Sequence, residues 1–139
     1  MFSRLKQGYR YLFKKFDKSS EYEIRNILTV AEFEIFSQMS EYDKLHSFLI
    51  YKRCKKDEVL RNDINYLKLA LLHDCGKGNI GLLKRIKKVL VGDKELERHA
   101  EKAFEKLKDI NIDLAKLCRD HHEKIVENKM KIFQKIDDK

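Results

Sequence analysis

The chain of 139 residues contains no proline and only five glycines. A β-rich protein with many tight turns needs more of both, so helices are expected. No apolar run approaches bilayer-spanning length, and no secretory hydrophobic region follows Met1. The expectation is a cytoplasmic protein with no transmembrane segment. The cysteines, Cys54, Cys75 and Cys118, are odd in number and lack C-x-x-C spacing. That argues against a disulfide framework or a thiolate zinc site and leaves them as small buried apolar residues. Internal repeats and low-complexity linkers are also missing.

What is present suits one compact domain with a real core. Apolar residues make up 42% of the chain, enough to order it despite 39% charge. Lys and Arg number 31 against 23 Asp and Glu, a net charge of +8. Such a balance attracts anions, including nucleotides, nucleic acids and acidic lipids. The excess is spread along the chain, and the plainer reading is a solvated lysine-rich surface.

Residues 1–20 are expected to form an amphipathic basic helix. Phe2, Leu5, Tyr9, Leu12, Phe13 and Phe16 recur at helical spacing, with Arg4, Lys6, Arg10, Lys14 and Lys15 elsewhere around it. It should pack on the domain or on a partner, which makes a homodimer one expectation; a membrane-surface helix is the alternative. Asp17-Lys18-Ser19-Ser20 looks like a capping turn, and residues 21–139 form the domain. Apolar periodicity surrounds Ile24, Ile27, Leu28, Phe33, Ile35 and Phe36. Ser40 can cap a helix through Tyr42, Leu45, His46, Leu49 and Ile50. One helix is expected from Glu58 to Asp74, ended by Gly76 and Gly78. Leu82 to Leu90 reads as a short helix, broken at Gly92-Asp93. Further helices run around Leu96 to Leu107, Ile112 to His122 and Val126 to Asp138. The expected fold is an all-α bundle.

Histidines and aspartates sit on the apolar stripes of these helices. His46 shares its stripe with Leu45, Leu49 and Ile50. His73-Asp74 closes the run Tyr66-Leu67-Lys68-Leu69-Ala70-Leu71-Leu72, and Asp74 continues Leu60, Ile64, Leu67 and Leu71. A carboxylate at a helix C-terminus is disfavoured unless a cation compensates it. His99 falls with Leu96, Ala100, Ala103 and Leu107. His121 follows Leu114, Leu117 and Cys118 and should face inward, leaving His122 to orient a ligand or touch substrate. Asp137 follows Val126, Met130 and Phe133, whereas Asp138 follows Lys131 and Gln134, which should face water. Taken singly, each histidine reads as a core side chain bonded to a carbonyl, and Asp137 as part of a polar tail. Taken together, the set would be ruinous to bury unpaired. A metal site in the core removes that cost. Imidazole with carboxylate suits iron, manganese or zinc, and so many ligands suggest two ions.

The ordered pattern His46 … His73-Asp74 … His99 … His121-His122 … Asp137 resembles the HD-domain superfamily of metal-dependent phosphohydrolases, in particular its small stand-alone HDIG-type members. Phe36-Ser37-Gln38-Met39, leading through Tyr42-Asp43-Lys44-Leu45-His46, is similar to their opening helix. Leu71-Leu72-His73-Asp74-Cys75-Gly76-Lys77 is similar to their central signature, with Cys75 in a usually apolar slot. The likeness runs from Phe33 to Asp138. It implies an HD-domain helical bundle with the metal site in its core. His46, His73, Asp74 and Asp137 would be the basic metal set, joined by His99 and His121 as in two-metal members. Magnesium or nickel are the alternative ions. Lys77 matches a lysine near substrate phosphate, although an exposed lysine completing a turn is the plainer reading. No Gly-Tyr-Pro element follows His121-His122-Glu123, unlike the cyclic-dinucleotide branch. No Glu-Asp pair closely follows His73-Asp74, unlike alarmone hydrolases. Only two residues follow Asp137, so its helix end is expected to fray.

The implied function is hydrolysis of a phosphate mono- or diester, on a nucleotide or related small molecule, by a metal-bound hydroxide. Asp74, Lys77 and His122 are the candidate catalytic residues. One alternative is an HD-type di-iron oxygenase, which shares the ligand order. Another is a non-catalytic, metal-stabilised binding module. Nucleic acid is not an expected partner, because no aromatic-and-basic alternation marks a single-strand platform.

Overall fold

The structure, a computed structural model, describes residues 18–77 and 93–138. The helices expected at Phe2 to Phe16 and Leu82 to Leu90 lie outside the described residues. Those described form seven α-helices, two short 3-10 turns and no strand. The helices are α1 (Lys18–Ile27), α2 (Val30–Ser37), α3 (Glu41–Lys56), α4 (Ile64–Leu72), α5 (Asp93–Leu107), α6 (Ile112–Asp120) and α7 (Asn128–Asp137). The turns are Leu60–Asn62 and Cys75–Lys77. None of these helices is long and apolar enough to cross a membrane.

Polar caps divide the chain more finely than its apolar rhythm suggests. Lys18 to Ser20, expected in a turn, form the first turn of α1. The periodic stretch from Ile24 to Phe36 is two helices, because Thr29 starts a capping box. Its hydroxyl accepts from Glu32 N at 3.2 Å, and the Glu32 carboxylate accepts from Thr29 N at 2.8 Å. The buried Glu32 also meets Lys68 Nζ at 2.8 Å and accepts from Asn111 Nδ2 at 3.1 Å. Burial raises the Glu32 pKa, but Lys68 and the other donors outweigh it and lower the value overall. One carboxylate thus ties α2 to α4 and to the cap of α6. Ser40 caps α3 as expected, accepting from Asp43 N at 3.2 Å.

The single helix expected from Glu58 to Asp74 is also interrupted. Asp63 accepts from Asn65 N at 3.1 Å and starts α4 afresh after the Leu60–Asn62 turn. Helix α4 ends at Leu72, with His73 as its C-cap. Gly76 therefore does not terminate it but permits close packing. A Cβ there would lie 1.9 Å from His99 O and 2.8 Å from Ala103 N on α5.

Helix α4 is buried on nearly every side, as its almost continuous apolar sequence requires. It packs on α3 and α6; α5 covers α6 and the Cys75–Lys77 turn; α7 lies against α3. Leu69, Leu71, Leu72, Ile50, Tyr51, Leu114 and Phe133 form the centre of the core. Cys54, Cys75 and Cys118 are free and buried within or beside it. The expected fraying of α7 is countered from its other end. Tyr66 donates to Glu127, Lys129 Nζ lies 2.8 Å from Asp63 Oδ2, and Met130 and Phe133 enter the core. Helical bonding persists to Asp138 N, which donates to Gln134 O at 3.0 Å.

Candidate metal centre

Two buried histidines stand at the centre of the candidate site. His73 and His121 are each only 3% exposed. Each stands at the C-cap of its helix, where late carbonyls lack intrahelical donors. Each ring uses this locally: His73 Nδ1 contacts Ala70 O at 2.9 Å, and His121 Nδ1 contacts Cys118 O. Carbonyls only accept, so both Nδ1 atoms carry hydrogen and both Nε2 atoms are directed elsewhere. Neither Nε2 has a hydrogen-bond partner, although both are buried. The rings lie edge to face, 5.5 Å between centroids. A ring anchored through Nδ1 on a carbonyl presents Nε2 to a cation once that nitrogen is unprotonated.

The acids gather at His73 Nε2. Asp137 Oδ1 is 3.2 Å away and Asp74 Oδ2 is 3.3 Å away. His46 Nε2 lies 3.7 Å from Asp137 Oδ1, and its ring stacks within 5° of parallel on Tyr42. Ligand atoms of His46, His73 and Asp74 all fall within 4.8 Å of one another. Burial opposes a charge on His73, but Asp74 and Asp137 prevail and lift its pKa to about 9. Burial alone would raise both carboxylates. The charges of His73, then Lys77 and His46 bring Asp74 down, and His73 and His46 bring Asp137 well below the ordinary value. His121 differs: burial, His122 and His73 push it down to about 3, leaving a neutral imidazole. Nitrogen lone pairs and carboxylate oxygens converging in a buried space fit a divalent cation.

The family model for the HD domain matches residues 46–137, most of the chain. This chain belongs to the HD-domain family. No curated protein and no solved structure matches it. At the family level, HD domains bind divalent metals and are associated with metal-dependent phosphohydrolase activity.

The remaining sequence candidates surround the HD-domain cluster at differing depth. Lys77 Nζ lies 3.3 Å from Asp74 Oδ1 and completes the 3-10 turn, so it is an acid's partner as well as a turn residue. His122 is exposed, its ring centroid 3.9 Å from that of His121. Burial of part of its ring lowers its pKa, although Asp74 and Asp137 pull the other way. Helical phase separates the inward His121 from His122, and the half-buried Asp137 from the exposed Asp138. His99 is half-buried on α5, and its carbonyl lies against Gly76, two residues beyond Asp74. Among the described residues, His99, His121 and Asp137 are outside the close group of His46, His73 and Asp74.

Gln134 departs from expectation. Its phase on α7 suggested a water-facing side chain, yet it is half-buried. Its Nε2 donates to His121 O at 3.0 Å and to Glu123 O at 2.8 Å. No side-chain pattern reveals this, because both partners are backbone atoms of a loop. The one available signal is an amide placed one turn before Asp137.

Proposed function

We propose that this HD domain hydrolyses a small phosphate ester, with a nucleotide or a related compound as substrate. The observation that carries the reading is the buried His73 Nε2 beside both Asp74 and Asp137, with the buried His121 ring 5.5 Å away. His46, His73, Asp74 and Asp137 would hold one divalent ion, and His121 with His99 would extend the set to a second. Iron, manganese and zinc match this donor chemistry best. When bound, such ions lower the pKa of a coordinated water towards neutrality and polarise phosphoryl oxygens.

The chain's own residues supply the rest. Lys77 places a cation beside Asp74, where it can bind a phosphoryl oxygen and balance charge developing there. His122 has a depressed pKa and is neutral at pH 7, so a ring nitrogen can accept a proton at the open side of the site. Asp74 and Asp137 remain ionised at all ordinary pH values, so their charge is always present to hold a cation.

The test is metal analysis of protein purified without oxygen, followed by phosphatase and phosphodiesterase assays on p-nitrophenyl esters and nucleotides. Stoichiometric metal with chelator-sensitive hydrolysis is expected. Metal with oxygen consumption and no hydrolysis would replace this reading with the oxygenase one. Salt-sensitive polynucleotide binding that ignores chelators would replace it with a binding module.

A further inference from the structure

We propose that Gln134 is a positioning residue of the metal centre, clamping the loop that carries His121 and His122 onto the helix that carries Asp137.

Helix α6 stops at Asp120, so the last carbonyls of the helix and those of the following loop need donors from elsewhere. Several find them locally. Cys118 O meets His121 Nδ1, and Asp120 O accepts from Glu123 N at 3.0 Å. His121 O and Glu123 O are served instead by a single side chain from another element. The Gln134 amide contacts both, at 3.0 Å and 2.8 Å. An NH2 group has two hydrogens, and the two carbonyls use both.

This doubly bonded amide fixes position as well as proximity. One hydrogen bond would let the loop pivot; two, to carbonyls on either side of His122, hold its backbone in one orientation. Gln134 and Asp137 lie three residues apart on α7, which makes them neighbours along one helix face. The placement of His121 is thereby referred to the same rigid body that delivers Asp137. Helix α7 is itself fixed at its start by Glu127 and Lys129 and at its middle by Phe133, whose ring meets His73 edge-on at 5.6 Å. Without the clamp, Cys118 would still set the His121 tautomer. The distance from His121 to the Asp137 side of the site would no longer be held. Supporting groups of this kind are worth roughly 10- to 100-fold in metal affinity.

The inference rests on the reading of His121 as a residue of the metal centre, but it does not require a substrate to be known. Three variants of the full chain test it. Gln134→Glu keeps the size and replaces both donors by acceptors facing carbonyls. Gln134→Leu removes the polar group. Gln134→Lys restores a hydrogen-bond donor at this position. Zn2+ affinity by competition titration and the 15N shifts of the His121 and His122 rings are the readouts, with helicity checked by circular dichroism. Roughly tenfold weaker Zn2+ binding is expected for Glu and Leu. Their His121 and His122 resonances should shift or broaden, and Lys should return both properties towards wild type. Slowed solvent exchange of the Gln134 side-chain amide in the wild-type protein supplies a check that needs no variant. Folded Glu and Leu variants with wild-type affinity and unshifted histidine signals would overturn the proposal. So would fast exchange of that amide. A chain with no phosphatase activity that still passes these tests would sink the functional reading and leave the clamp standing.

Discussion

His73 Nε2 lies 3.2 Å from Asp137 Oδ1 and 3.3 Å from Asp74 Oδ2, so two carboxylates share one imidazole edge. Groups of opposite polarity have thus been brought from the ends of α4 and α7 to the same small space. Two acids crowding one imidazole suit a shared cation.

Removing either acid should therefore cost more than a surface charge would. Asp74→Ala is expected to abolish both bound metal and turnover. Asp137→Asn keeps the shape of the side chain and should weaken metal binding by more than roughly 100-fold, beyond what changes outside the coordination sphere usually cause. Metal content by mass spectrometry after dialysis checks both. Full metal occupancy and activity in Asp74→Ala would end the proposal.

Lys77→Ala is expected to leave the metal in place and slow the reaction. Its ammonium pairs with Asp74 at 3.3 Å and is partly open to solvent, so the fold does not depend on it. Loss of one group that stabilises transition-state charge costs roughly 10²-fold in kcat. Steady-state kinetics beside metal analysis separates this result from loss of the ion.

The metal-free protein should have a stability optimum near pH 6.5. His73 holds its proton up to about 9 in the fold, against 6.5 for the free group. Its contribution is complete below 6.5 and disappears as pH rises through 9. His121 is kept neutral down to about 3, so stability falls as pH drops below 6.5 and the unfolded chain takes up the proton. Asp74 and Asp137, both lowered, add to the acid loss as pH falls below 3.8. A metal bound through His73 Nε2 would have to displace this proton. Apparent Mn2+ affinity should consequently rise roughly tenfold per pH unit between about pH 6.5 and 8. Urea titrations across pH check the first statement, and isothermal titration checks the second. A flat affinity over that range would refute the proton competition.

Gly76→Ala should destabilise the fold through packing. The added carbon would meet backbone atoms of His99 and Ala103, which have no rotamer with which to move aside. A loss of about 3 kcal/mol is expected, at the upper end for overpacking. Because Asp74 directly precedes this turn, metal affinity should fall as well. An unchanged urea midpoint would mean that the turn and α5 separate easily.

How far the sequence could be read follows from what kind of interaction placed each residue. Solvent and core impose a helical period, and that period distinguished His121 from His122 and Asp137 from Asp138. Ser40 was legible as a cap because it precedes a fresh apolar stripe. Thr29 and Asp63 were not, since each interrupts a stripe that continues in phase beyond it, and a local hydrogen bond prevails over the longer pattern. Gly76 resembles a helix terminator in sequence, but its bareness answers to a distant backbone. Gln134 was misplaced for a related reason: its partners are carbonyls, and these belong to every residue alike.

The imidazoles and acids of this cluster come from α3, the ends of α4 and α6, and α7. An ion held among them would act as a rivet through four helices of one core. Occupancy and folding then share one free energy, about 2.7 kcal/mol when the ion stands at 100 times its dissociation constant. Starving the protein of metal would then loosen the rivet and raise the fraction of unfolded chain that proteases can reach.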